Sequence, residues 1–311
     1  MSATSAAKAP ARIGTFAPFG EFDEAICSAE AIGIDSGATL VKICVRDRAG
    51  ARHFATWPSP SLERVCELLR SVGPDRIGVT GCGAAAILEG LGQKAGHPIE
   101  FDAWGRGANQ ILAESGLASD APYLLISIGT GTSALRVEGD RVERVGGTAL
   151  GGGTALGLGL ALTGCRSHDE LMTLAARGAR GRVDLLIGDI YEEKSEIPIA
   201  PEATAASFGK LARSLDRGHA VEGAHPAPEP PRREDLAAAI MGLVAENIAL
   251  ISVARATAAG VSRIVYGGST LNDNPTIVQT VQLLTSLMGF EAIVLEDSGH
   301  AGALGAMLLS T

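Results

Sequence analysis

Two turns built from small residues each follow an apolar run directly, and their residue types could bind phosphate. The first occupies residues 35–39 and the second residues 129–132, one in each half of the chain. Backbone N–H groups and hydroxyls can approach phosphate oxygens in such turns because few Cβ atoms obstruct them. The pair therefore indicates a nucleotide held between two related lobes.

The first turn begins with a carboxylate, Asp35, at the end of a predicted strand. This carboxylate could hold the hydrated magnesium ion that accompanies ATP, while Gly37, Ala38 and Thr39 offer N–H groups to phosphate. The alternative for this turn is an Asx-type turn that caps a hairpin. The presence of the second turn favours the phosphate interpretation. Lys42 follows on the next strand, where it is either a phosphate contact or a solvated strand residue.

The second turn contains no lysine, which excludes a Walker-type P-loop; its residues are Gly129, Thr130, Gly131 and Thr132. A third junction between a strand and glycines occurs at Gly267 and Gly268. This junction precedes a helix near the C-terminal end and is a candidate contact for the nucleoside. As a motif it is weak, since glycine pairs end many strands.

Residues 146–154 are too rich in glycine to favour either a helix or a strand. A chain tolerates such a run where its backbone must approach a ligand. The alternative is a flexible loop, but the small and apolar residues that follow favour tight packing. We therefore expect nucleotide contacts from the second half of the run: Gly151, Gly152, Gly153 and Thr154.

One acidic residue, Glu100, lies in a short alternating segment over residues 98–102, before a helix predicted over residues 105–114. An acidic group at this place could accept a proton from a substrate hydroxyl. From the spacing alone, a solvated surface charge is the better interpretation. The histidines show no ligand spacing, so none is assigned to a metal.

The elements that must position these residues form an α/β chain with two similar blocks. A first lobe is expected over residues 29–118 and a second over residues 119–311, and residues 1–28 are expected to be a poorly ordered extension. The second lobe contains a long helix predicted over residues 234–258. The apolar face expected for this helix includes Leu236, Leu243 and Ile251.

The composition is typical of a soluble globular protein, with 46% hydrophobic and 20% charged residues among 311. A net charge of −9 without any basic run argues against a nucleic-acid surface. Five scattered cysteines without CxxC spacing favour a reducing cytosol. No signal core opens the sequence, and no stretch has the length and uniformity of a membrane span. We expect a cytoplasmic protein that binds neither nucleic acid nor membrane.

Several strings, in a fixed order, resemble the type II (eukaryotic-like) pantothenate kinases of the actin, sugar-kinase and Hsp70 ATPase superfamily. Residues 144–158 with 162–165 are similar to the family's arginine, GTSLGGGT and LLTGC run, and two later strings resemble its DIY and ASSFG segments. The resemblance implies two ribonuclease-H-like (actin-like ATPase) lobes with ATP in the cleft between them. The chain departs from the family pattern at Ala149, where serine is usual, and in residues 296–302, which lack the aromatic residue of the EGYFGA string.

The resemblance also implies roles for particular residues. Glu100 stands where the family has its general base, in a Glu-x-Asp string, which overturns its interpretation as a surface charge. Ser133 and Arg144 match the residues that hold the pantothenate carboxylate, and a forked arginine donor suits a carboxylate. Gly147 and Thr148 belong to the same string and are expected to bind the substrate with them.

The implied reaction transfers the γ-phosphoryl group of ATP, with Mg²⁺, to the primary hydroxyl of pantothenate. The turns at residues 35–39 and 129–132 match the family's ATP phosphate loops. Family members are dimers packed through long helices, so a homodimer is expected. Two alternatives remain open: another kinase or ATPase of the superfamily that acts on an amino sugar or a hydroxy acid, and a nucleotide-binding regulator without catalysis.

Overall fold

The computed structural model describes residues 13–22, 29–91, 95–191, 199–216 and 230–310. The strands in chain order are β1 (Thr15–Phe16), β2 (Ala29–Ser36), β3 (Leu40–Asp47), β4 (Arg52–Pro58), β5 (Arg76–Thr80), β6 (Tyr123–Ile128), β7 (Thr132–Glu138), β8 (Arg141–Thr148), β9 (Leu185–Leu186), β10 (Thr204–Ala206), β11 (Arg263–Gly267) and β12 (Glu291–Val294). The helices are α1 (Leu62–Val72), α2 (Ala84–Leu91), α3 (Glu100–Glu114), α4 (Gly152–Thr163), α5 (His168–Ala175), α6 (Gly209–Asp216), α7 (Arg233–Ala259), α8 (Pro275–Leu287) and α9 (Ala301–Leu309).

Two five-stranded mixed sheets repeat one pattern of connections. In the first sheet, β2, β3 and β4 form an antiparallel meander, and β5 adds parallel to β2. In the second sheet, β6, β7 and β8 form the meander, β11 adds parallel to β6, and β12 adds parallel to β11. A parallel bridge between Gly78 and Gly96 occupies the place in the first sheet that β12 takes in the second. Helix α3 follows this bridge as α9 follows β12.

Strand β2 lies inside the first sheet and is covered on both faces. Ile32 and Ile34 pack in one apolar cluster with Val65 and Leu69 of α1. Alternate residues point to the opposite face, where Gly33 lies directly against the backbone of α9. Asp35 belongs to this second face. The alternation of the strand thus places the carboxylate beneath α9.

Helix α9 packs on the first sheet, although the sequence placed it in the second lobe. Gly33 and Gly78 lie against its backbone at Ala303 and Ala306, where any Cβ would collide. Helix α3 packs along α9 in turn. The expected boundary between residues 118 and 119 therefore does not hold for α9, because glycines in β2 and β5 let this helix return to the first sheet.

The described part of the N-terminal segment, residues 13–22, belongs to the first sheet, contrary to the poor order expected for residues 1–28. Strand β1 pairs parallel with β4. The ring of Phe16 stacks on that of Phe54 with centroids 4.8 Å apart, and Ile13 is buried. Burial of these apolar side chains favours packing of the segment on the sheet. The rest of the expected extension and most of the proline-rich stretch around residues 226–231 lie outside the described residues.

Helix α7 carries apolar residues around most of its circumference, so burial is not confined to the single face expected for it, although Ile240 and Ile248 of that face are fully buried. Leu236, Leu243 and Ile251 are half-buried, whereas the smaller Ala237 and Ala245 are fully buried. By length and composition α7 could cross a membrane, contrary to the expectation that no stretch has this character. In this fold, 61% of its most apolar window is buried within the protein, which is typical of the core helix of a globular domain.

Candidate active site

Four polar residues line up across the first sheet near the ends of its strands. The register places Thr80 opposite Asp35, Asp35 opposite Lys42, and Lys42 opposite Thr56. Directly opposed residues point to the same face of a sheet, so this polar row lies on the face that α9 covers. Thr80, Asp35 and Lys42 are buried. Burying a polar group is costly unless it is hydrogen-bonded or paired. A row of buried polar side chains therefore marks this edge of the sheet as a candidate site.

Burial dominates the electrostatics of Asp35. Its carboxylate Oδ2 lies 3.9 Å from the Nζ of Lys42. Burial raises the pKa of Asp35, and the charge of Lys42 lowers it by a smaller effect. A Cβ at Gly302, in the first turn of α9, would lie 2.5 Å from Oδ2, so the absence of a side chain there leaves room for the carboxylate. A cation that reaches Asp35 would stabilise its charged form.

The two predicted phosphate turns meet in the structure. The Oγ1 atoms of Thr39 and Thr130 lie 3.0 Å apart, which is hydrogen-bond distance. Ala38 and Thr39 are exposed, whereas the N–H of Gly37 donates to the carbonyl of Leu40 at 2.9 Å and closes the turn. The turns therefore contact each other, with Ala38 and Thr39 accessible and the N–H of Gly37 already engaged.

The start of α4 braces the second turn. The carbonyl of Gly129 accepts hydrogen bonds from the N–H of Gly152 at 2.8 Å and from the hydroxyl of Thr270 at 3.0 Å. The carbonyl of Thr130 accepts the N–H of Gly153 at 2.9 Å. These N–H groups are therefore engaged within the protein and support the shape of the turn, whereas the sequence had placed both glycines in contact with the nucleotide.

The glycine-rich run forms regular structure, contrary to the expectation from propensity. Its first residues end β8, and α4 begins at Gly152. A Cβ at Gly151 would lie 2.7 Å from the carbonyl oxygen of Thr130, and one at Gly153 would lie 2.6 Å from its Cγ2. Glycine is thus required because the helix start sits directly on the turn, and this close packing offsets the low helix propensity.

Three threonines that the sequence assigned to ligand contacts form hydrogen bonds inside the protein. The hydroxyl of Thr132 donates to the carbonyl of Leu150 at 2.8 Å, and that of Thr154 donates to the carbonyl of Ala149 at 2.9 Å. The hydroxyl of Thr148 accepts the N–H of Leu150 at 3.2 Å. Together these bonds fix the connection between β8 and α4.

Gly267 and Gly268 bring the end of β11 against the second turn. Gly268 has a φ of +119°, which favours glycine, and a Cβ there would collide with the backbone of Ile128. Its N–H donates to the hydroxyl of Ser298 at 3.1 Å. Packing thus accounts for Gly268, and its N–H is not free for a nucleoside.

Glu100 is the first residue of α3, so this helix begins earlier than the sequence predicted. The residue is exposed to solvent. Partial desolvation by the surrounding protein raises the pKa of Glu100, and the negative charge of Asp35 raises it further, while Lys42 lowers it. The charges of Asp35 and Lys42 thus both act on Glu100. A carboxylate with a raised pKa is a better proton acceptor than an ordinary glutamate.

A cation and a hydroxyl lie on the second sheet near the start of α3. The guanidinium carbon of Arg144 lies 5.9 Å from the centroid of the Phe101 ring, which follows Glu100 directly. Ser133 pairs with Gly147 in the register of β7 and β8. A Cβ at Gly147 would lie 3.0 Å from Nη2 of Arg144 and 3.4 Å from Cα of Ser133. Arg144, Ser133 and Gly147 therefore form one cluster beside the residue next to Glu100.

The donor set fits magnesium that arrives with ATP. Within the described ranges, no group of three or more His, Cys, Asp or Glu side chains could enclose a metal ion. Asp35 offers one buried carboxylate at the end of β2, next to the first turn. Mg²⁺ keeps several waters and is held by one or two carboxylates together with substrate phosphates, so a single protein carboxylate is enough.

The sequence did not reveal Thr56, Thr80 or Thr270 as parts of this arrangement. Thr80 and Thr56 flank Asp35 and Lys42 through strand register, which a single sequence does not fix. Thr270 follows the Gly267–Gly268 junction, where the glycines are the stronger sequence signal. A threonine that ends a buried strand, as Thr80 ends β5, is a signal that could have found that residue.

Comparison with known proteins agrees with this arrangement. The family profile described as Fumble matches residues 101–309. The type II pantothenate kinase of Staphylococcus haemolyticus is 34% identical over 279 residues, which covers 90% of this chain and 99% of that protein.

Two solved structures share the fold. The activator of 2-hydroxyisocaproyl-CoA dehydratase from Clostridium difficile, with bound ADPNP, has a TM-score of 0.55 at 19% identity and covers 89% of this chain and 92% of its own. A ROK family glucokinase from Streptomyces griseus, in complex with glucose and AMPPNP, has a TM-score of 0.53 at 13% identity, with coverages of 90% and 98%. At these identities the likeness shows the fold alone, which is the actin-like ATPase fold. The match to Fumble and the identity to the staphylococcal enzyme show that the chain belongs to the type II pantothenate kinase family.

Proposed function

We propose that the protein is a pantothenate kinase, which transfers the γ-phosphoryl group of ATP to the primary hydroxyl of pantothenate and gives 4′-phosphopantothenate, at the head of coenzyme A synthesis. The observation that carries the proposal is the position of Glu100 at the start of α3, next to Phe101, whose ring centroid lies 5.9 Å from the guanidinium carbon of Arg144. The charge of Asp35 contributes to the raised pKa of Glu100. Family membership supports the same activity.

The nucleotide phosphates would bind beside the two turns, which contact each other at Thr39 and Thr130. Ala38, Thr39 and the braced second turn would offer neutral donors to the phosphate oxygens, and Lys42, 3.9 Å from the carboxylate of Asp35, would add positive charge. Asp35, water and the phosphates would hold Mg²⁺, whose charge offsets that of the phosphoryl group. Gly152, Gly153 and Gly268 act through the shape of the turns.

Glu100 accepts the proton of the pantothenate hydroxyl as the hydroxyl oxygen attacks the γ-phosphorus. A new oxygen–phosphorus bond forms, the bond between the γ-phosphorus and the bridging oxygen breaks, and ADP leaves with that oxygen. Because Glu100 must be ionised to act as a base, its raised pKa sets the acid limit of activity.

Arg144 and Ser133 orient the acceptor from its far end. Arg144 presents a forked donor that suits the pantothenate carboxylate, and Ser133 lies in the same cluster. Holding the carboxylate here directs the other end of the molecule, with its hydroxyl, toward Glu100 at the start of α3. Such alignment lowers the entropy cost of the reaction.

We also propose a cytoplasmic homodimer that packs through helices of the second lobe. Leu250 of α7 and Leu283 and Leu287 of α8 are large apolar residues that are 46%, 60% and 73% exposed. These two helices pack on each other, so a second copy could cover their outer sides. Analytical ultracentrifugation of the chain and of a Leu283→Glu, Leu287→Glu variant tests this assembly.

The activity is tested by ADP release from Mg²⁺-ATP with pantothenate, pantoate, pantetheine and N-acetylglucosamine offered in parallel. We expect release that requires pantothenate and is lost in Glu100→Gln. Faster ADP release with N-acetylglucosamine than with pantothenate would mean that the amino sugar is the acceptor. Tight ATP binding without release for any acceptor would favour a non-catalytic nucleotide sensor.

A further inference from the structure

Thr80 connects the polar row to the segment that carries Glu100. It is the last residue of β5 and is fully buried. Its hydroxyl donates to the carbonyl of Pro98 at 2.9 Å. Pro98 lies two residues before Glu100, and Thr80 stands opposite Asp35 in the register of β5 and β2. One side chain thus lies beside the proposed magnesium ligand and holds the chain that leads to the proposed base.

The segment before α3 depends on β5 for its position. The N–H of Gly96 donates to the carbonyl of Ile77 at 2.7 Å, and the carbonyl of Gly96 accepts the N–H of Val79 at 2.9 Å. The bond from Thr80 continues this series toward α3. The N-cap residue of α3, Ile99, is 66% exposed and gives the helix start no side-chain hydrogen bond.

The Glu100 side chain has little else to hold it. Among the residues described by the structure, none forms a hydrogen bond or an ion pair with its carboxylate in this state. Its place therefore follows from the backbone at the start of α3. That backbone is fixed by the first helical turn, where the N–H of Ala103 donates to the carbonyl of Ile99 at 3.0 Å, and by the bond from Thr80.

We propose that Thr80 is a positioning residue that fixes the distance of the base Glu100 from Asp35 and from the bound acceptor hydroxyl. This inference rests on the proposed kinase function for its catalytic part. Displacement of a catalytic group by about 1 Å can cost up to about 100-fold in rate. Loss of one flanking hydrogen bond should move the base by less, so a roughly tenfold effect is expected.

The kinetic test compares Thr80→Val, which keeps the shape but removes the hydroxyl, with Thr80→Ser, which keeps the hydroxyl. Thr80→Val should lower kcat about tenfold with little change in the KM for ATP, and Thr80→Ser should restore most of the loss. Thr285→Val is the matched control, since Thr285 is also fully buried and its hydroxyl lies 2.6 Å from that of Tyr266, in the second lobe. This control should lower the melting temperature and leave kcat unchanged.

A titration of the Glu100 carboxyl by NMR, on protein with labelled glutamate and with Glu100→Gln for assignment, tests the positioning without any assay. In Thr80→Val, Glu100 should move away from Asp35 and become more solvated, so its pKa should fall toward the ordinary value; Thr80→Ser should keep it raised. An unchanged pKa and kcat in Thr80→Val, or an equal loss of kcat in Thr285→Val, would overturn the proposal. If the wild-type protein phosphorylates no acceptor, the proposed function fails, while the NMR result still decides whether Thr80 positions Glu100.

Discussion

The two sheets share one pattern of connections, but the ionisable groups of the candidate site are concentrated at the first. There, β2 ends near Asp35, Lys42 stands opposite, and the following helix α3 begins with Glu100. At the corresponding places in the second half, β6 ends with Ile128 and α9 begins with Ala301. The first half thus presents two carboxylates and Lys42, whereas the turn of the second half is neutral and the charged site residue of that half, Arg144, lies on β8.

The two halves of a repeated fold thus contribute different kinds of group to one candidate site. Asp35 and Lys42 are buried beneath α9, where their charges are screened little, whereas Glu100 is exposed. The neutral turn is held by backbone bonds from Gly152 and Gly153 and by the hydroxyl of Thr270. A charged group acts more strongly where the protein excludes water, whereas an uncharged turn acts through its fixed shape. Substitutions at Asp35 and Glu100 should therefore change the chemical step, whereas substitutions in the turn of the second half should change nucleotide affinity.

The largest effect is expected from Glu100→Gln. Loss of the base should lower kcat by about 10³-fold, within the range for general-base catalysis, while ATP binding changes little because the turns are intact. Steady-state ADP release and calorimetric ATP titration measure the two quantities. Glu89→Gln, a change of another exposed helical glutamate, is the control. A Glu100→Gln enzyme that keeps more than about a tenth of its activity would mean that the base is another group.

Asp35→Asn should lower kcat/KM by about 10²-fold, since the amide is a poorer magnesium ligand. The change also removes a charge that raises the pKa of Glu100. Activity needs ionised Glu100 and is lost as the pH falls through its pKa, so the acid limb of the residual activity should move to lower pH. The pH profile of kcat/KM measures this shift, with the exposed Asp75→Asn as the control. An acid limb of kcat/KM that stays in place or moves to higher pH would contradict the electrostatic effect of Asp35 on Glu100.

Much of the local structure follows from the sequence, because it depends on neighbouring residues. The Asn274 cap of α8 is an example: its side chain accepts the N–H of Ile277 at 3.3 Å, and Pro275 follows in the first turn. The start of α3 at Glu100 was missed because its N-cap, Ile99, has no capping side chain. The return of α9 to the first sheet was missed because it depends on glycines far away in the sequence, such as Gly33.

The candidate site shows the same division between local and distant causes. Asp35 and the two turns are local motifs, and they could be found from residue types alone. The polar row depends on strand register, so Thr80 could not be placed beside Asp35 without the fold. The roles of Gly152 and Gly153 as supports were also hidden, because a glycine that packs and a glycine that binds phosphate have the same sequence signature.

Arg144→Lys should raise the KM for pantothenate about tenfold and leave the KM for ATP unchanged. Lysine keeps the charge but loses the forked geometry that suits a carboxylate, which corresponds to a loss of about 1.4 kcal/mol. Arg141→Lys, on the same strand and largely exposed, should have no effect. An equal rise in the KM for both substrates would place Arg144 at the nucleotide instead.

Gly151→Ala tests whether the second turn acts through its shape. A Cβ there would lie 2.7 Å from the carbonyl oxygen of Thr130 and 2.8 Å from Cα of Gly131, so the turn must shift. If this strain destabilises the complex with ATP by about 1 kcal/mol, the KM for ATP rises about fivefold. Gly157→Ala, inside the helix that Gly151 precedes and with open space around it, is the control and should be neutral or slightly stabilising. Equal effects of the two substitutions on the KM for ATP would contradict the role of the turn.

The smallest effect concerns the contact between the halves, where the hydroxyls of Thr39 and Thr130 lie 3.0 Å apart. Thr39→Val, Thr130→Val and the double variant form a cycle in the free energy of unfolding measured with urea. The coupling should be about 0.5–1 kcal/mol, because an exposed hydrogen bond adds little net stability. The control cycle combines Thr39→Val with Thr257→Val, whose residue lies near the end of α7. The effects of these two substitutions on the free energy of unfolding should be additive. Additivity in both cycles would mean that the halves meet at this point without stabilising each other.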